Sequence, residues 1–341
     1  MRVVCVGAGY FSQFHLDGWQ RVKGAELVGI CDIDPQKAKA TGLPVFESAD
    51  RMLSQTNADV LDVILPPTAQ ADAIRAGLNA NLRAIICQKP FCQSPDEAVE
   101  MATLAEEANV PLIVHENFRF QPWYRTIRNA IQEGRIGTPL QATFRLRPGD
   151  GQGAEAYLAR QPYFQKMERF LVHETAVHWI DTFRFLFGDP TAVYADLRRI
   201  NPAISGEDAG YLIFDHPNAV RSIFDGNRLW DHAADNTRCT MGEGLFEGTE
   251  GTLELEGDGS VHLRTFGETA SETLMPADTS NTFGGDCARR LQQHVVDALN
   301  GAGELENRAQ NYLKVVQIEA ALYRSAAKGQ KISLHQDAQP N

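Results

Sequence analysis

Short apolar runs alternate with helix-period segments through the first 117 residues. The runs at 2–6, 26–31, 58–65, 83–88 and 111–115 read as strands. They are rich in Val, Ile and Leu without strict apolar–polar alternation, as parallel strands covered on both faces are. Helix-period segments fall near 10–22, 34–41, 68–80 and 94–108, and Asp34-Pro35 and Ser94-Pro95 each supply an N-cap followed by a first-turn proline. This repetition predicts an α/β fold built on a doubly wound parallel sheet.

After about residue 120 the period changes. A helix is predicted at 121–133, a strand at 139–147, and an irregular stretch around Gly149, Gly151 and Gly153. A long amphipathic helix at 171–187 is closed by Gly188-Asp189-Pro190. Alternating strands follow at 191–199, 208–215, 219–225, 237–247, 251–256 and 260–266, and helices at 283–300 and 307–328 finish the chain. Asp215-His216-Pro217-Asn218 and Gly257-Asp258-Gly259 mark hairpins. The second domain is therefore expected to be α+β, with helices on one face of a mainly antiparallel sheet. The predicted boundaries are 1–120 and 121–335, with the last six or seven residues expected to be disordered.

Composition narrows the function classes. A length of 341 residues suits two domains. Lys plus Arg total 32 against 44 Asp plus Glu, a net charge of −12. Such a surface repels phosphate backbones and the anionic leaflet of a membrane, so nucleic-acid and membrane partners are not expected. No secretory leader and no apolar run of spanning length is read from the chain, and a cytoplasmic protein is expected. The six cysteines are scattered without a Cys-x-x-Cys, so neither a metal site nor a disulfide framework is expected. Small molecules are the expected partners.

Gly7-Ala8-Gly9-Tyr10-Phe11-Ser12 stands between the first strand and the first helix. Gly7 permits the tight turn, and Gly9 lets the backbone approach a pyrophosphate at the helix N-terminus. Ser12 replaces the third glycine of the dinucleotide fingerprint. Asp32 closes the second strand, 20 residues past Ser12, where an acid accepts from a ribose 2′-hydroxyl and repels a 2′-phosphate. Ile33 and Asp34 offer that phosphate no cation, which favours NAD over NADP. Pro66-Pro67 and Gln88-Lys89-Pro90 end the third and fourth strands at the carboxyl edge, where ligands of open α/β sheets bind. Lys89 is a candidate there, and a plain surface lysine is the alternative.

His173 and His178 invite a metal reading, but they are five positions apart, about 140° around an α-helix. Glu174, His178 and Asp181 share one helical stripe instead, which suits an imidazole oriented by carboxylates as a general base. A satisfied buried histidine is the alternative. His115, Glu116, Asn117, Arg119 and Trp123 cluster at the domain junction, suited to holding a polyol or to a plain hydrogen-bond network.

Together these residues resemble the Gfo/Idh/MocA oxidoreductases over nearly the whole chain. Gly7-x-Gly9, Asp32, Pro66-Pro67, Gln88-Lys89-Pro90, the Glu174-to-His178 helix and the segment around His294–Leu299 and Glu306-Asn307 carry the likeness. The chain has Gln88 where the family usually has Glu, Glu174-x-Ala176-x-His178 for the usual Asp-x-Gly-x-His, and Gln70 for the usual histidine after the prolines. The resemblance implies a Rossmann domain joined to an open-faced sheet domain, and homodimers or homotetramers formed through that sheet. It implies NAD held by Gly7, Gly9, Tyr10, Phe11, Ser12, Asp32, Pro66, Gln88, Lys89 and Asn117. Catalysis falls to Lys89, His178 and Glu174, with substrate bound by Lys89, Asn117, Arg119, Trp123, Glu174 and His178. The runs at 115–123 and 173–181 are similar to a subgroup of aldose dehydrogenases, those for the branched pentose D-apiose among them, which oxidise C1 to a lactone. A non-catalytic sensor of dinucleotide or sugar, or an oxidoreductase for a diol, imine or sugar nucleotide, are the alternatives.

Overall fold

The computed structural model describes residues 1–280 and 282–334, so the expected disorder of the last residues lies outside the described chain. Two compact units emerge: Met1–Asn117 with Ala288–Val316, and Phe118–Cys287 with the chain from Gln317 onward.

The first unit alternates strand and helix: β1 (Arg2–Val6), α1 (Ser12–Arg21), β2 (Glu26–Cys31), α2 (Pro35–Ala40), α3 (Ala49–Thr56), β3 (Val60–Val63), α4 (Gln70–Leu78), β4 (Ala84–Gln88), α5 (Pro95–Glu107) and β5 (Leu112–His115). All five strands are parallel, in the order β2-β1-β3-β4-β5. Every residue of β3, β4 and β5 is buried, which explains why those strands read as mainly apolar runs without alternation. Asp34 and Ser94 cap α2 and α5 as expected, accepting from the amides of Gln36 and Glu97. The sequence pattern missed α3, an eight-residue helix that buries only Met52 and Thr56.

The second unit holds α6 (Pro122–Gln132), β6 (Pro139–Leu146), α7 (Val177–Phe187), β7 (Ala192–Arg198), β8 (Ala209–Asp215), β9 (Arg221–Asn227), β10 (Gly242–Gly248), β11 (Gly251–Leu255), β12 (Val261–Thr265) and β13 (Glu272–Met275). The chain closes with α8 (Cys287–Leu299), α9 (Ala309–Lys328) and β14 (Ile332–Ser333). The nine-stranded sheet runs β13-β12-β11-β10-β6-β9-β8-β7-β14 and is antiparallel except for the β6–β9 pair. Neither β13, which is largely exposed, nor the two-residue β14 carried a readable pattern.

Two departures from the expected layout matter for the site. Residues 288–316, expected in the second domain, pack with the first unit. The Gln292 side chain donates to the His15 carbonyl (3.0 Å), and Asn307 Nδ2 donates to the Glu116 carbonyl (2.6 Å). The predicted single helix at 171–187 is a π-helical turn over Leu171–Ala176 followed by α7.

One face of the nine-stranded sheet forms the core of the second unit. Phe144, Leu212, Phe214, Phe224, Phe246 and Leu253 point into it, with Trp179 of α7 at its centre. The Trp179 ring lies 4.4 Å from Phe144 and 5.2 Å from Phe224, and its indole N–H donates to Tyr124 Oη (2.9 Å). Burial pushes the Tyr124 phenol well above its ordinary pKa. A Trp179→Ala variant is expected to lose about 3–5 kcal/mol of stability, the range for aromatic truncation in a core. Urea titration followed by near-UV dichroism checks this; a loss below about 1 kcal/mol, the level of ordinary surface changes, would contradict the packing described.

Candidate active site

The chemistry of the first unit gathers at the carboxyl ends of its strands. Gly7 leaves β1 at φ 104°, and a Cβ there would stand 2.3 Å from the Ile64 carbonyl oxygen. Only glycine fits. A Cβ on Gly9 would meet no atom within 4 Å among the described residues, so the space over that peptide is open. Asp32 braces the loop: Oδ2 accepts from the Ala8 amide (2.6 Å) and Oδ1 from the Asp34 amide (2.7 Å). Each oxygen keeps a further lone pair for a hydroxyl donor. Ser12 is buried, its hydroxyl donating to the Gly9 carbonyl (2.6 Å), and no side chain caps the N-terminus of α1. Tyr10 is exposed and Phe11 half-buried at the loop tip. A braced turn, an open peptide face, an uncapped helix start and an acid at the second strand together fit a dinucleotide diphosphate and ribose diol.

Pro66 follows β3, and Gln88 ends β4 and leads into Lys89-Pro90 through a cis Lys89–Pro90 bond. Gln70 ties these ends together. Its Nε2 lies 3.1 Å from the Leu65 carbonyl, 2.9 Å from that of Gln88 and 3.0 Å from that of Pro90, and its Oε1 accepts from the Cys92 amide (2.7 Å). Gln70 was singled out in the sequence only as a replaced histidine. Gln88 is buried, its Oε1 accepting from the Lys89 amide (2.7 Å). Asn117, 1% exposed, closes the first stretch of this unit, and its Nδ2 has no hydrogen-bond partner among the described residues. A buried donor left in that state is costly unless a ligand takes it.

In the second unit the π turn presents Glu174, half-buried, and leads into His178, which is buried. The His178 ring stacks flat on Phe118, with centroids 3.8 Å apart and planes 5° from parallel. This contact fixes the imidazole plane and left no pattern in the sequence. Asp181 accepts from Arg119 Nε (2.7 Å) and Nη2 (2.5 Å), so its charge balances a guanidinium in bidentate fashion. Trp123 is fully buried and gives its indole N–H to Gln121 Oε1 (2.7 Å), a packing arrangement. His173 belongs to the π turn, where an angle drawn for an α-helix does not hold, and its Nδ1 pairs with Glu319 Oε1 (2.8 Å). Among the described residues no group of three or more His, Cys, Asp or Glu is arranged to hold a metal.

A π turn needs support, and charged groups missed by the sequence reading supply it. Glu207 Oε1 accepts from the Phe170 and Val172 amides (3.2 Å each) and from Tyr323 Oη (2.6 Å). Arg228, 2% exposed, donates to Thr175 within the turn, to Tyr157 Oη (2.7 Å) and to both oxygens of Asp150. All six cysteines are buried and none is joined in a disulfide; burial pushes the Cys31 and Cys239 thiols up to about 11 and Cys92 to about 12, which argues against a thiolate nucleophile at those positions.

Residues 1–116 match the family described as "Oxidoreductase family, NAD-binding Rossmann fold", and residues 124–254 match "GFO/IDH/MocA C-terminal domain". D-apiose dehydrogenase of Paraburkholderia graminis is 32% identical over 96% of this chain and 88% of that protein. D-apiose dehydrogenase of Rhizobium rhizogenes is 28% identical over 96% of each. An Agrobacterium radiobacter oxidoreductase, solved in complex with NAD+, L-tartaric acid and magnesium, superposes with a TM-score of 0.88 at 27% identity over 98% of both chains.

Asp150 gives this site a pH signature. Burial pushes its carboxyl up, but the Arg228 and Arg160 guanidiniums outweigh that and hold it below the ordinary range. A carboxyl depressed in the native state stabilises fully above its unfolded value, about 3.9, and the contribution is lost as pH falls through the lower native value. An Asp150→Asn variant should be less stable than wild type at pH 7, with the gap narrowing below about pH 4. Urea midpoints measured from pH 7 down to acid unfolding check this; a constant gap would contradict it.

Proposed function

The chain belongs to the Gfo/Idh/MocA family and is an oxidoreductase of the sugar and polyol type, and we propose that it is an NAD-dependent dehydrogenase of a free aldose, D-apiose foremost, oxidised at C1 to the lactone. The Asp32-braced loop is the observation that carries the cofactor reading: both carboxylate oxygens already hold backbone amides and keep room for a ribose diol, at the place where a 2′-phosphate would be repelled. The D-apiose dehydrogenases aligned over nearly the full chain support the substrate.

When bound, NAD supplies the hydride acceptor. Within the protein, Gly7, Gly9 and Ser12 would hold the diphosphate, Asp32 the ribose, and Tyr10, Phe11, Pro66, Gln88 and Asn117 the remainder. Lys89, on a turn clamped by Gln70 and Gln88, orients the reacting hydroxyl and favours its deprotonated form electrostatically. His178, its plane set by Phe118, accepts the hydroxyl proton as general base. Glu174, Asn117 and Arg119 bind the other hydroxyls. Holding the reactants in place supplies much of the acceleration.

A panel of free aldoses, polyols and sugar acids, assayed separately with NAD and NADP, tests this reading. D-apiose with NAD should give the highest kcat/KM, and lactone should be found as product. Lys89→Ala and His178→Ala should each lose about 10²–10⁴-fold in kcat. Reduction of an imine or aldehyde with NADPH, and no sugar oxidation, would overturn it.

We also propose a homodimer through the face of the nine-stranded sheet turned away from the core. Tyr194, Ile213, Ile223, Thr143 and Leu245 stand side by side across β7, β8, β9, β6 and β10, half-buried on that face. An apolar row of this kind suits a second copy packed sheet to sheet. Sedimentation should give a dimer or larger for wild type and a smaller species for Ile223→Glu. A wild-type monomer at micromolar concentration would overturn it.

A further inference from the structure

β3 reads Val60-Leu61-Asp62-Val63, and all four residues are buried. An acid in the middle of a buried parallel strand calls for an account, because carboxylates are almost never fully buried unless paired. Asp62 Oδ2 accepts from Trp19 Nε1 (2.7 Å) and lies 2.8 Å from His15 Nδ1. His15, fully buried on α1, stacks on His115 with centroids 3.9 Å apart, and its Nε2 lies 2.9 Å from Gln88 Nε2.

The direction of every bond follows from one backbone group. The Lys89 amide can only donate, so the Gln88 atom facing it is the oxygen Oε1. The Gln88 amide nitrogen therefore faces His15 and donates to Nε2. Nε2 carries no proton, so the imidazole proton sits on Nδ1 and is given to Asp62. Asp62, His15, Gln88 and the Lys89 peptide thus form a chain with a single donor–acceptor sense. On the other side Gln70 holds the Gln88 and Pro90 carbonyls.

We propose that Asp62 and His15 are positioning residues that act through Gln88 to hold the Lys89 turn in one orientation. The catalytic side of this rests on the dehydrogenase reading of Lys89; the tautomer and the clamped amide do not.

Long-range ¹H–¹⁵N spectra of histidine-labelled protein and hydrogen exchange at the Lys89 amide test the proposal, alongside kinetics. In wild type, His15 should show the Nδ1–H tautomer and the Lys89 amide should be protected. Gln88→Met keeps the volume and loses both bonds: Lys89 exchange should rise, and kcat should fall about 10²-fold, the cost of an ångström's misplacement, with KM moving far less. Gln88→Glu still accepts from the Lys89 amide but offers His15 only an acceptor, so the amide should stay protected while Nε2 becomes protonated. This second variant decides the matter if Gln88→Met does not fold. An Nε2–H tautomer in wild type, or a Gln88→Met variant with unchanged Lys89 exchange and kcat, would overturn the proposal. If wild type oxidises no sugar, the dehydrogenase reading fails, while tautomer and exchange still decide the positioning.

Discussion

Peptide groups at the end of a parallel strand lose their ladder partners, and where they are buried they must find others. In the first unit this constraint is met at each strand end by a side chain. Asp32 takes the Ala8 and Asp34 amides. Gln70 serves the carbonyls after β3 and β4, Gln88 takes the Lys89 amide, and Asn307 reaches back to the Glu116 carbonyl. The edge that would bind a ligand is therefore built from residues whose first task is to satisfy the backbone. Their geometry follows from that task, because a side chain bonded to two or three peptide groups has little freedom left. Preorganisation is a by-product of folding here.

The second unit meets the same constraint at a different fault. A π turn widens the backbone spiral and breaks the i→i−4 pattern at Leu171–Ala176. Glu207 takes the amides of Phe170 and Val172 at its start, and Arg228 holds Thr175 within it. Arg228 is itself neutralised by Asp150, whose carboxyl stays ionised because two guanidiniums outweigh its burial. The supports come from the residue that follows β9, from α9 and from the loops around 150 and 207, distant in sequence. Glu174 thus lies within, and His178 just after, a locally unfavourable turn that is held by long-range charged groups.

Much of the fold was legible because it is written in local pattern. Val3-Val4-Cys5-Val6 and Ile85-Ile86-Cys87 read as buried strands, and the largely alternating burial of β6 through β12 reads as a half-covered sheet. What escaped was either too short, as α3 and β14, or dependent on tertiary contact. The return of 288–316 to the first unit rests on Gln292 and Asn307 meeting backbone groups nearly 200 or more residues away. The π turn carries no Pro or Gly to announce it. For the candidate site, Gly7 and Asp32 were recognisable because a glycine at positive φ and an acid that takes loop amides after β2 are backbone requirements, and Gly9 because its open peptide face carries no side chain. His15, Gln70, Phe118 and Arg228 were not, since a buried polar or aromatic residue looks the same in sequence whether it braces a site or fills a core. Asp62, not singled out in the sequence, left a signal that could have found it: an acid inside an apolar strand.

That acid also shows what such a chain of polar residues contributes. Among the described residues Asp62 Oδ1 has no hydrogen-bond partner, and a buried oxygen left in that state carries a desolvation cost. Replacing a buried polar network by well-packed apolar residues is often neutral or stabilising. Stability is therefore a poor reason for Asp62, His15 and Gln88 to stand where three apolar side chains would pack as well. What apolar residues cannot do is dictate direction. A methyl group would let the Lys89 peptide settle wherever sterics allow, whereas Gln88 accepts its amide along one line, and His15 and Asp62 fix which way Gln88 faces. The network trades stability for orientation, and the lysine at the strand end is where that orientation is expressed.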